Sequence, residues 1–77
     1  MKLKKLFAGE YEMNTNVDGC EVRVEVSLQD YNGFSYDCYV NDILMSGDGF
    51  TGLRLGDIKQ MLVGIVEGDV KEYKLDA

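Results

Sequence analysis

Residues 20–28 read CEVRVEVSL, and this stretch decides the fold. Cys20, Val22, Val24, Val26 and Leu28 fall at every second position, with Glu21, Arg23, Glu25 and Ser27 between them. Successive side chains of a β-strand point to opposite faces, so one face of this segment is apolar and the other charged. The pattern predicts a half-buried antiparallel strand, because a parallel strand is covered on both faces and reads as a continuous apolar run.

The same alternation recurs on either side. Upstream, Phe7, Tyr11 and Met13 alternate with Glu10, Glu12 and Asn14; downstream, Phe34, Tyr36, Cys38 and Val40 alternate with Ser35, Asp37, Tyr39 and Asn41. Three such strands in succession predict a meander. Asp18-Gly19 is a preferred pair for a two-residue type I′ turn. Centring the first hairpin there sets Val17 against Cys20, Met13 against Val24 and Tyr11 against Val26, apolar against apolar throughout. At the second turn, a two-residue Asn32-Gly33 loop would set apolar positions against polar ones. A three-residue loop, Tyr31-Asn32-Gly33, is expected instead, with Leu28 against Tyr36, Val26 against Cys38 and Val24 against Val40.

From Asp57 the period changes. Ile58, Met61, Leu62, Ile65 and Val66 follow helical spacing, with Asp57 as N-cap, Gln60 closing a capping box and Gly68 at the C′ position. A last strand, VKEYKL over residues 70–75, is expected to turn Tyr73 and Leu75 inward. Residues 43–56 are readable either as a small hairpin or as irregular loop. The fold class is α+β: a mainly antiparallel sheet, made of a three-strand meander plus a C-terminal strand, with one helix packed on its apolar face. Residues 1–77 form a single domain near the lower size limit for an unstapled core.

Composition narrows the function. The chain is 45% apolar and 29% charged, the balance of an ordinary globular protein. Its net charge of −6 sets it against direct binding of nucleic acid through a basic patch. It contains no histidine, the commonest general base and metal ligand, and two cysteines alone cannot complete a four-ligand zinc site. These absences argue for a protein that is not an enzyme and carries no cofactor or metal. The opening MKLKKLFAGEYE has too short an apolar stretch for a secretory signal, and no run approaches a membrane span, so the expected location is cytoplasmic.

Two motifs call for weighing. Gly47, Gly49 and Gly52 in SGDGFTGLRLGD match the G-x-G-x-x-G spacing of dinucleotide-binding turns. That fingerprint works in a parallel β-α-β unit with the helix opening at the glycines, whereas the helical pattern here begins five residues later and Asp48 would oppose a pyrophosphate. The glycines therefore read as a connection needing unusual backbone geometry. Asp48 and Asp57 also lack the alternating oxygen ligands of a calcium loop. Cys20 and Cys38 lie roughly 20 Å apart along the expected strands, so they read as small core residues in a reducing compartment and not as a disulfide.

The charged face is more informative. In the expected register Glu12 sits opposite Glu25, Glu25 opposite Tyr39, Glu10 opposite Ser27 and Ser27 opposite Asp37; Glu21 extends the row, and Arg23 is flanked by Asn14 and Asn41. Like charges directly opposite one another destabilise a sheet by about 0.2–1 kcal/mol. One reading is a solvated face that keeps a small protein soluble. A second is an acidic patch for a basic partner, formed by Glu10, Glu12, Glu21, Glu25 and Asp37 with Tyr39 as an amphipathic anchor. A catalytic Glu12–Glu25 pair would need a cleft, and a divalent-metal site would need a ligand spacing that this row does not supply.

The leading expectation is a small non-enzymatic binding protein that sets its acidic sheet face against the basic surface of a nucleic-acid-handling protein such as a nuclease. In size and charge the chain is similar to phage-encoded inhibitors of bacterial defence nucleases, such as anti-CRISPR proteins. The similarity involves no motif, so no residue role is carried over from it. The alternative is a structural or oligomeric module, a homodimer through a sheet edge, whose acidic face confers solubility alone.

Overall fold

The computed structural model describes residues 3–29, 33–51 and 55–76. Five strands, β1 (Lys4–Phe7), β2 (Glu10–Val17), β3 (Cys20–Gln29), β4 (Gly33–Val40) and β5 (Ile43–Thr51), precede one helix, α1 (Leu55–Asp76). The strands form one sheet in the order β1-β2-β3-β4-β5, every neighbouring pair antiparallel. The helix lies across β3, β4 and β5 on one face. This is the α+β class that the sequence predicts, with a different complement of strands.

The β2–β3 hairpin forms as its turn chemistry dictates. Asp18 and Gly19 have φ of 50° and 83°, the two positive values a type I′ turn requires. Val17 pairs with Cys20, Met13 with Val24 and Tyr11 with Val26. The β3–β4 register differs from the expected one by two residues. Val22 pairs with Val40, Val24 with Cys38, Val26 with Tyr36 and Leu28 with Phe34, and the pairing ends at Gln29 and Gly33. The observed register gives four apolar pairs, whereas the expected one would have set Asp30 opposite Phe34 in place of a fourth. The expected turn residues 31 and 32 lie outside the described residues. Cys38 now sits opposite Val24, still about 13 Å along the strand from Cys20, and both thiols are free.

Three other elements depart from the expectation. Phe7 does not continue β2: a turn at Ala8-Gly9, with Gly9 at φ 79°, separates a short β1, and Phe7 pairs with Glu10 and is 66% exposed. Residues 43–51 form one edge strand, reached through a tight turn at Asn41 (φ 49°) and Asp42 (φ 65°), with a bulge opposite Cys38 and Tyr39. Finally, VKEYKL is helix and not strand. Helix α1 starts at Leu55, so Asp57 lies within its first turn, where its charge suits the helix dipole, and it is not the N-cap of the expected capping box with Gln60. The helix runs through Gly64 and Gly68 instead of stopping at Gly68.

Packing explains why the helix continues. Ile58, Leu62, Val66 and Val70 recur every fourth residue and are essentially inaccessible, with Tyr73 partly buried beyond them. They seat on Val22, Val24, Val26, Cys38 and Val40 of the sheet, all within one buried cluster. Burying each such side chain contributes about 1.5–3 kcal/mol, which outweighs the ~1 kcal/mol propensity cost of each glycine. Ending at Gly68 would have given up Val70 and Tyr73. Leu75, expected to face inward, is 79% exposed because it falls off this stripe.

Among the described residues, one charged side chain enters the core. Asp69 is 8% exposed and accepts a 2.5 Å hydrogen bond at Oδ2 from Ser46 Oγ on β5. Ser46 in turn accepts from Tyr36 Oη at the long distance of 3.5 Å. Burial, helped by a hydrogen bond to Asp69 and by that residue's negative charge, pushes the Cys38 thiol up to about 12.

Candidate functional site

The sheet face away from the helix carries the residues that the sequence singles out. Its central row runs across four strands as Lys4, Glu12, Glu25 and Asp37, and ends at Gly47 on β5. Three carboxylates therefore stand side by side on adjacent strands, about 4.8 Å apart in the hydrogen-bonding direction. The expected register had placed Tyr39 opposite Glu25 and Asp37 opposite Ser27. The two-residue shift brings Asp37 into the Glu12–Glu25 row and makes the charge density there higher than the sequence suggests.

The flanking rows differ in character. On one side Asn14, Arg23 and Tyr39 lie in register, with Leu44 on β5 beyond them. Arg23 stacks over the Tyr39 ring at 4.4 Å from its centroid and donates from Nη1 to Asp42 Oδ1 at 3.0 Å. The face's arginine is thus turned to the end of the sheet, not to the carboxylate row. Arg23 lies opposite Tyr39, not Asn41 as expected, and Asn41 instead caps Glu21: its Oδ1 accepts from the Glu21 amide at 2.9 Å, while its own amide donates to the Glu21 carbonyl at 2.7 Å. On the other side Glu10, Ser27 and Ser35 align, and Ser27 Oγ donates to Glu10 Oε2 at 2.7 Å.

The acids are not equivalent. Asn14 Nδ2 donates to Glu12 Oε1 at 2.6 Å, and Lys4 lies beside Glu12 on β1. Among the described residues no side-chain hydrogen bond or ion pair reaches Glu25 or Asp37. Asp37 leans towards the edge: a Cβ at Gly47 would lie 2.6 Å from Asp37 Oδ1 and 3.1 Å from the Tyr36 carbonyl oxygen. A side chain at Gly47 would displace the Asp37 carboxylate and crowd the Tyr36 carbonyl, so glycine suits this place by its closeness to β4 and not by the unusual backbone geometry expected of it. Gly49 also lies within β5, and Gly52 lies outside the described residues.

Of the six candidate residues, Glu12, Glu25 and Asp37 form one row, Glu10 sits diagonally beside it, and Tyr39 and Glu21 lie towards the other end of the face. Sequence reasoning missed Lys4 at one end of the row, Asp42 as the partner of Arg23, and the exposed apolar Phe7 and Leu44 at opposite edges of the same face. Asn41-Asp42 was a readable signal, since both residues tolerate the positive φ of a tight hairpin turn. The face is flat. A depression of about 480 Å³ lined by Leu3, Lys4, Glu12 and Asn14 opens at one end of the row. Among the described residues no three His, Cys, Asp or Glu side chains are grouped so as to hold a metal ion, and no helix is long and apolar enough to cross a membrane.

No family model, curated protein or solved structure matches this chain.

Proposed function

We propose that this chain is a binding protein that works by presenting its acidic sheet face to a basic surface, of the kind a nuclease or other nucleic-acid-handling protein uses to hold a phosphate backbone. The observation that carries the reading is the Glu12–Glu25–Asp37 row, in which two of three carboxylates accept no side-chain hydrogen bond and form no ion pair among the described residues, Arg23 in the next row being paired with Asp42. Like charges opposite one another weaken a sheet. Here Lys4 stands at one end of the row beside Glu12 and Arg23 is drawn to Asp42, so Glu25 and Asp37 keep their charge at a cost in stability. A partner with matching lysines or arginines would relieve that repulsion on binding and be steered to the face by its field. Phe7 and Leu44 add exposed apolar surface at the two edges of the charged face.

Inhibition of a phage-defence nuclease is the form of this activity that the chain's size and charge favour. The test is capture from a bacterial lysate with the wild-type chain and with Glu12→Lys/Glu25→Lys, both checked for native circular dichroism. The expected outcome is recovery of a nucleic-acid enzyme by the wild type alone, with binding that weakens steeply as salt rises. Equal recovery by the double variant would overturn the reading.

A further inference from the structure

The two edges of the sheet are built differently. Strand β1 is short, carries Lys4 and Lys5, and is broken by a bulge before Phe7. These are the devices by which proteins stop an edge from pairing with another chain. Strand β5 is more than twice as long and holds one charge along Ile43–Thr51, Asp48, which lies opposite Tyr36 on the inner face and is its single charged guard against pairing. Its bulge lies near one end, leaving 46–51 regular. Among the described residues, no backbone group from outside the sheet bonds to it, and the Gly49 amide donates to the neighbouring Asp48 Oδ1 at 2.8 Å, a local bond that a pairing strand would have to replace. The helix lies over β3, β4 and β5 on the inner face, and along β5 only Met45, Ser46 and Phe50 are partly buried, the rest being exposed.

Glycine usage points the same way. Gly47 is explained within one chain by the approach of Asp37, but Gly49 is not: a Cβ there would meet only the Phe34 carbonyl oxygen at 3.7 Å, an ordinary contact, and its φ is not in the left-handed region. Glycine weakens a strand interior and often marks a place where another backbone comes close. At the other end of β5, Ile43 and Leu44 are 53% and 56% exposed, a pair of apolar side chains with too little cover from their own chain.

We propose that β5 is a self-association edge, at which a second copy of this chain pairs β5 against β5, antiparallel, on a two-fold axis through Gly47 or Gly49. Charge and geometry select this occupant. An axis at Asp48 would set two carboxylates directly opposite, whereas an axis at either glycine keeps them apart and brings side-chain-free positions together. Residues 47, 49 and 51 of both copies then share the outer face, so the two five-stranded sheets become one and both helices lie on the other side. With each helix centred over β4, the axes are about three strand spacings apart, roughly 14 Å, beyond the ~8–10 Å at which helices would collide. With the axis at Gly47, each copy also lays Ile43 and Leu44 opposite Thr51 and Phe50 of the other, enlarging a core that is small for an independent domain.

The pairing does not depend on the acidic-face reading, although with the axis at Gly47 it would align two carboxylate rows on one continuous surface with only glycines between them. It is tested on the purified chain alone, without any partner. Sedimentation equilibrium from micromolar to millimolar concentration is compared for the wild type, for Gly49→Lys, and for Lys5→Glu on the opposite edge. Native circular dichroism confirms the fold of each, and the contacts at Gly49 allow the substitution. The expected result is a wild-type dimer, a dissociation constant raised about tenfold or more in Gly49→Lys, no change in Lys5→Glu, and β5 amides whose hydrogen exchange slows as concentration rises. Persistence of the dimer in high salt would separate it from a charge-driven complex. A chain that stays monomeric at millimolar concentration, or a dimer indifferent to Gly49→Lys, overturns the proposal; in the first case the edge is left to a strand of a different protein.

Discussion

Ser46 Oγ, on the edge strand, donates a 2.5 Å hydrogen bond to Asp69 Oδ2, on the helix, and so ties the last strand of the sheet to the element that covers it. Removing the acceptor leaves Ser46 and the Cys38 thiol facing an apolar side chain. Asp69→Ala is expected to destabilise by about 1–3 kcal/mol, and Asp69→Asn, which keeps an acceptor, by less. Urea midpoints of the two variants measure the difference; equal losses would show that the hydrogen bond contributes nothing beyond packing.

The Cys38 thiol gives stability a definite pH dependence. Its value in the folded chain is raised from 9.0 to about 12, first by burial and then by Asp69. The unfolded chain releases this proton at the lower value and the folded chain at the higher one. The contribution is therefore complete below about pH 9 and falls as pH rises towards 12, by about 1.4 kcal/mol per unit. Cys38→Ala should flatten the alkaline limb of the stability curve measured by denaturant titration. An unchanged slope would mean that other groups govern alkaline unfolding.

Glycine-to-alanine changes should have opposite signs at two places. Gly19 has φ 83° and open space around it, so Gly19→Ala carries pure backbone strain and should cost about 1–2 kcal/mol. Gly64 and Gly68 lie in the helix with nothing within reach of a Cβ, and each alanine there should stabilise by up to about 1 kcal/mol. Thermal midpoints of the three single variants decide it. A loss at Gly64 or Gly68 would mean that those positions are covered in solution.

The carboxylate row predicts a stability gain on charge reversal. Glu25→Lys sets a cation between Glu12 and Asp37 and should stabilise the isolated chain by about 0.2–1 kcal/mol per neighbour at low salt. The gain should shrink as salt is added. Denaturant titrations at two ionic strengths test both points, and a destabilised Glu25→Lys would show that the row carries no repulsion to relieve.

Much of this was legible in residues 10–40, and the misses have physical causes. The first hairpin was fixed twice over, by Asp18-Gly19 and by the apolar alternation on both sides. The second was fixed only in its faces: registers two residues apart keep every side chain on the same side, so periodicity cannot separate them. What decides is the end of the strand, where Leu28 pairs with Phe34 and Val22 with Val40. Strand β1 was invisible because Lys4–Phe7 is exposed throughout and alternates nothing. The helix beyond Gly68 was hidden because Gly68 reads as a C′ stop and VKEYKL sets Tyr73 and Leu75 in strand alternation, although Val70 and Tyr73 also continue the helical stripe. The acidic residues of the candidate face were all readable, but their grouping depended on the register.

Because each strand of the sheet lies beside the one that precedes it in the chain, no strand has to be inserted between two already paired. A growing chain can add hairpin to hairpin as it leaves the ribosome, each closed by a few residues. The apolar side of Val22, Val24 and Val26 then stands uncovered until residues 55–76 follow. In the cell, the interval between β5 and α1 is when this chain is most open to being captured by a chaperone.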